Sequence, residues 1–256
     1  MKRAKIKKPE SYRERVYRAI QEQGDLISSY AGIKDTDLHI LADREVSDRA
    51  QELALQYRLQ IEKYIEKHPE FAGSLLPLAP DALAPPIVRQ MLAAGSNAGV
   101  GPMAAVAGVI AEFVAKGLLQ NGCLEVVVEN GGDIYIDRSR DCTVAIFAGE
   151  SSLSLRVGVK LAKDSLPLAV CTSSGTVGHS LSFGLADSVT VIARSAALAD
   201  AAATRLGNEV GRGSGGKNSI NRVLEKSREI TGVLGVVVIC GEQIGAVGDV
   251  ELVTIN

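Results

Sequence analysis

Between Cys171 and Thr204 the chain runs from a small-hydroxyl turn, Thr172-Ser173-Ser174-Gly175, past His179 and into Asp187-Ser188-Val189-Thr190-Val191-Ile192. The β-branched run reads as a strand, because branched side chains pack well on a pleated surface. Ser195 then stands where it can cap a helix carrying Asp200 and Thr204. Those two residues are four apart, so on a helix they share one face. A carboxylate and a hydroxyl so placed, in an alanine-lined turn, can offer two oxygens to a hard cation such as Mg²⁺. Spacing alone keeps a plainer alternative in front: a solvated helix aspartate, with a threonine filling a gap.

The rest of the chain narrows the fold class. At 256 residues it can bury a sizeable core, as one large domain or two small ones. A net charge of −2 provides no bulk field for nucleic acid or an anionic membrane. Tryptophan is absent, which argues against a base-stacking platform. Cys123, Cys142, Cys171 and Cys240 are scattered without a CxxC pair, so neither a zinc site nor a disulfide framework is expected. The basic start MKRAKIKKPE runs into ESYRERVYR with no apolar segment behind it. A secretory signal is therefore not expected, and a cytoplasmic location is. Met91 to Ala111 is uncharged but too weakly apolar for a convincing membrane span.

Taken in order, residues 12–41 suggest short extended stretches around Gln23-Gly24-Asp25, with His39 an outward side chain on a half-buried strand. Val46 to Ile65 carries apolar residues at helical spacing, and Pro69 should stop that helix near Lys67 or His68. A proline-rich loop, 77–86, leads to a helix over 87–94. Residues 95–101 then form a glycine-rich loop ahead of a helix from Pro102 to Leu119. Such a loop can present free amides to an anion or merely permit close helix packing. Leu124 to Val128 reads as a buried strand that turns at Asn130-Gly131-Gly132-Asp133 and resumes, a tight hairpin on local chemistry. Further strands are expected at 143–148, 153–160, 168–172, 181–183, 188–193, 233–240, 244–247 and 251–255. A loop should occupy 207–216 and a short helix 219–228. Strands and helices come in runs, not in βαβ alternation, which favours α+β with a largely antiparallel sheet in a single domain over 1–256.

Three stretches together resemble a known superfamily. VVVENGGDIYI is similar to the Asn-x-Gly-Gly-Asp strand-loop-strand of the ApbE flavin transferases. SVTVIARSAALADAAATRLG resembles their Val-Thr-Val strand and following helix, and AGVGPMAAVAGVIAEFVAKGLL stands where they carry a glycine-rich helix start. The wording from ENGGDIYI to GLADSVTV is closer still to a cytoplasmic sister family. The resemblance is strongest over 95–210 and implies an ApbE-like α+β fold that binds FAD and splits its pyrophosphate with Mg²⁺. FMN would pass to a hydroxyl on a flavoprotein acceptor. Residue by residue it implies Asp200 and Thr204 as metal ligands, with a backbone carbonyl near Gly101, and Asn130, Gly131, Gly132 and Asp133 lining the flavin site.

Two features depart from the transferase pattern. His179 is followed by Ser180-Leu181-Ser182-Phe183 where the transferases have an Asp-Pro-x-Thr-Gly loop, and Met103-Ala104-Ala105 replaces a lysine-bearing helix start. The block Ser173, Ser174, Gly175 with His179 suggests its own polar pocket. There the hydroxyls and amides would hold a phosphate, and His179 would act as general acid or base or stay a hydrogen-bonded structural histidine. Three functions stay open: a transferase, a flavin or nucleotide binding module without turnover, and an enzyme or accessory factor of anaerobic sulfur or cofactor metabolism. Partners would be a small flavin or nucleotide and a flavoprotein acceptor, with neither nucleic acid nor membrane; a homo-oligomer is compatible with this. Cys171, beside the pocket, is expected to be the cysteine that ligand shields from alkylation.

Overall fold

The computed structural model describes residues 26–174, 186–210 and 217–255. Its backbone is an eight-stranded sheet in which every described neighbour pair is antiparallel. The order runs β1 (Ile27–Ile33), β2 (Thr36–Ala42), β3 (Val126–Asn130), β4 (Asp133–Asp137), then β7 (Leu168–Ser173), β8 (Ser188–Ala193), β9 (Val233–Cys240) and β10 (Gln243–Gly248). A smaller sheet holds β5 (Cys142–Ala145) and β6 (Val157–Leu161), with β11 (Glu251–Thr254) on the outer side of β6. The helices are α1 (Ser47–Lys67), the short α2 (Glu70–Gly73), α3 (Pro86–Ala98), α4 (Val106–Gln120), α5 (Ala196–Gly207) and α6 (Lys217–Ser227).

Both faces of the central strands of the large sheet are covered, and the sequence shows why. Antiparallel strands with one wet face alternate apolar and polar residues, whereas strands buried on both faces read as unbroken apolar runs. Val126-Val127-Val128 is such a run. Val126 and Val128 pack with the helices, while Val127 joins the cluster that includes Ile146, Val159 and Leu161 of the small sheet and its flank. Val236 to Ile239 divides the same way. The helices lie on one face and the small sheet on the other.

The expectation of an outward His39 is overturned by the neighbouring strand β1. The residue is 1% exposed. Its ring stacks on Tyr30 of β1 with centroids 4.9 Å apart, and its Nε2 lies 2.8 Å from Ser28 Oγ. Alternation in the sequence separates the two faces of a strand correctly, but it does not reveal that a ring on the neighbouring strand covers the outer one.

The α+β, antiparallel expectation holds, with local differences. α1 ends at His68 ahead of Pro69. α3 runs on through Gly95 to Ala98 and stops at Gly99, so the expected loop at 95–101 shrinks to the link before a 3-10 turn at Pro102–Ala105. Residues 153–156 form turns, and the strand begins at Val157. The expected features at 12–25, 181–183 and most of the 207–216 loop lie outside the described residues. Pro102–Gln120 is long and apolar enough to cross a membrane, yet 61% of it is buried within the fold.

Candidate active site

The two signature stretches meet at the start of α4. In the β3–β4 hairpin Asn130 pairs with Asp133, and Gly131 and Gly132 take φ of 68° and 102°. Positive φ at both central residues matches the strand twist and is open to glycine without strain. The Gly132 amide donates to Glu129 Oε1 at 2.7 Å, on one side of the turn. On the helix side Asn130 Nδ2 donates to the Ala107 carbonyl at 3.1 Å, tying the hairpin to the first turn of α4.

Asp200 arrives at the same turn from α5. Ser195 caps that helix, its hydroxyl accepting from the Leu198 amide, as the sequence suggests. One turn further, Asp200 Oδ2 accepts from the Gly108 amide at 2.9 Å, and the Ala107 backbone also bonds its carboxylate. These are N-terminal amides of α4, which lack acceptors within their own helix and favour a negative charge. The approach is close. A Cβ at Gly108 would lie 2.3 Å from the Ala196 carbonyl and 2.9 Å from Asp200 Cβ.

Asp133 is 7% exposed and faces the helices opposite Cys171, which it meets in the β4–β7 register. Burial pushes its carboxyl well up, the Asp200 charge adds to that, and a Cys171 thiol donating to it works in the opposite sense. Asp200 keeps some accessible surface, but protein surrounds its carboxylate. That desolvation raises its pKa to about 7 against the pull of the Gly108 and Ala107 amides. Cys171 is fully buried, and burial plus the two carboxylates pushes its thiol up too. Such a thiol is inert, so shielding from alkylation comes from the fold and needs no ligand. Two carboxylates that disfavour each other's charge, with no lysine or arginine paired to either among the described residues, form a centre short of positive charge.

The other expected residues are placed as follows. Thr204 lies one turn beyond Asp200 on α5. Gly101 donates its amide to the Leu75 carbonyl, accepts from Ala104, and would clash with Ser74 if it bore a Cβ, so packing accounts for the glycine there. Ser173 ends β7 on the helix-facing side with a buried hydroxyl that has no hydrogen-bond partner, and Ser174 follows it. Gly175 and His179 lie outside the described residues. Among those described, no cluster of three or more His, Cys, Asp and Glu side chains is set to hold a metal. A cation here would need hydroxyl or carbonyl oxygens besides carboxylates.

Sequence reasoning passed over Glu112. Its Oε2 accepts the Ala196 amide at 2.7 Å, and its Oε1 meets Lys116 Nζ at 2.6 Å. The signal was present, a single carboxylate in a mostly apolar helix, VAGVIAEFVAKGLLQ, whose one other charge is Lys116.

Comparison with known proteins identifies the family. A family model described as AbpE bacteria matches residues 18–251. A UPF0280 protein of Methanococcus maripaludis strain C5 is 44% identical over 222 residues, covering 85% of this chain and 89% of its own. A UPF0280 protein of Methanocaldococcus jannaschii is 43% identical over 225 residues, covering 86% and 91%. Among solved structures, the apo flavinyl transferase ApbE of Pseudomonas stutzeri superposes with a TM-score of 0.53 at 12% identity, covering 87% of this chain and 94% of that one. That likeness speaks for the fold. The family model spans most of the chain, and the chain therefore belongs to the AbpE bacteria family and, with it, to the ApbE superfamily.

Proposed function

We propose that the chain is a Mg²⁺-dependent flavin- or nucleotide-binding protein that acts as an FAD:protein FMN transferase. The observation that carries this reading is the pair of buried carboxylates, Asp133 and Asp200, converging beside the hairpin and the amide end of α4. The donors fit a hard divalent ion. Asp200 and Thr204 offer only oxygen, and the pair lacks the positive charge that an ion would supply. Asp200 and Thr204 would hold it, with a carbonyl near Gly101. Bound there, Mg²⁺ would neutralise pyrophosphate charge.

The chain's own residues would do the rest by positioning and proton transfer. The Gly131-Gly132 turn brings backbone close to the flavin, and Asn130 holds that turn against α4. The unpartnered Ser173 hydroxyl and Ser174 would donate to phosphate oxygens. His179 would take the proton from the acceptor hydroxyl as its oxygen bonds to the FMN phosphorus. The P–O bond to AMP then breaks, and AMP leaves with the bonding electron pair.

The test is a fluorescence titration of FAD into metal-stripped protein, with and without Mg²⁺, followed by assay of AMP. Metal-dependent binding with AMP release supports the transferase. Binding without AMP leaves a flavin module, and absence of binding in both conditions sinks the flavin reading.

A further inference from the structure

A further buried carboxylate, Glu112, faces the helix that carries Asp200. Glu112 is 2% exposed and is the only acidic residue of α4. Its Oε2 accepts the Ala196 amide at 2.7 Å and the Ser195 hydroxyl at 3.3 Å, while Gln90 of α3 donates to the same hydroxyl at 2.9 Å. Ala196 is the first residue of α5, so its amide has no acceptor within its own helix. Asp200 makes the converse contact, from α5 to the Gly108 amide in the first turn of α4.

Each helix start is thus capped by a carboxylate of the other helix. Gly108 and Glu112 are one turn apart on α4, and Ala196 and Asp200 one turn apart on α5, so the two contacts close a square. Neither helix can slide along the other without breaking both. The close approach at Gly108 removes any space for a different register.

We propose that Glu112 is the positioning residue of the Asp200 site, fixing the height and direction at which α5 presents Asp200 and Thr204. This rests on the reading that Asp200 holds the cation. Residues that orient a ligating carboxylate without touching the metal typically change its affinity 10- to 100-fold when removed.

The test uses the full chain and Mn²⁺ alone as probe, titrated by electron paramagnetic resonance, with amide exchange at Gly108 followed in parallel. Glu112→Ala should weaken Mn²⁺ binding about tenfold and speed Gly108 exchange beyond any general loss of protection. Glu112→Gln, which keeps an acceptor for Ala196, should recover most of both. Val223→Ala, a buried truncation on α6, serves as the control for lowered stability alone and should leave Mn²⁺ affinity unchanged. Wild-type affinity and Gly108 exchange in Glu112→Ala would overturn the proposal, as would equal weakening in Val223→Ala. A wild-type protein that binds no Mn²⁺ would instead refute the cation reading. Gly108 exchange would then decide by itself whether the clamp exists.

Discussion

At the scale of single residues, the consequential quantity is the charge on Asp200. Its pKa stands at about 7 in the folded chain against an ordinary 3.8, so between roughly pH 4 and 7 the folded state holds a proton that the unfolded state has released. Stability of the metal-free protein therefore falls as pH rises through that window, and the loss is complete above it. Thermal melts from pH 5 to 8 should show this decline, and Asp200→Asn should reduce it, leaving the part that comes from the buried Asp133. The same substitution should abolish Mg²⁺-dependent ligand binding while costing little stability at pH 8, because an amide oxygen still accepts from Gly108. An Asp200→Asn protein that binds metal and ligand like wild type would remove Asp200 from the site. Added Mg²⁺ should raise the melting point more at pH 8 than at pH 6, since ion and proton compete for one carboxylate.

At the scale of elements, two glycine positions carry distinct and separable costs. Gly132→Ala forces a side chain into positive φ and should cost about 1–2 kcal/mol in denaturant unfolding, with the α4–α5 contact left intact. Gly108→Ala drives a methyl into the Ala196 carbonyl and should cost about 1–3 kcal/mol by prising the two helices apart. Cation affinity distinguishes them. It should fall in the Gly108 variant, where the amide that orients Asp200 moves, more than stability alone accounts for. Equal metal affinity in both variants would argue that the α4 amides do not orient the carboxylate.

For the whole molecule, the large sheet is shared between a helical layer and a small-sheet layer, and its strands contribute to both apolar clusters. We expect the two layers to unfold together. Val109→Ala in the cluster on the helix side and Ile146→Ala in the cluster on the small-sheet side should each lower the midpoint of one common transition, by about 1–4 kcal/mol in stability. Two separate transitions, each moved by only one of these variants, would show that the layers are independent units. The buried, high-pKa thiol of Cys171 provides a second probe. It should react with alkylating reagents only as fast as this transition opens the sheet.

Local chemistry was enough to read much of this protein. The strand at 188–193, the Ser195 cap, the Asn130–Asp133 hairpin and the stop at Pro69 follow from propensity, capping and turn geometry, which act within a few residues. The α+β class followed from the order of those elements, and the placement of Asp200 and Thr204 one turn apart from helical spacing. Tertiary structure decided what spacing cannot express. The Tyr30 ring covers His39 from the neighbouring strand, and α3 continues through Gly95, which reads locally as the start of a loop. Asp133 and Asp200, far apart in sequence, share one desolvated centre, and Glu112 acts across a helix pair through an amide 84 residues away. Burial and charge coupling are properties of which surfaces meet, and that is settled only when the chain closes on itself.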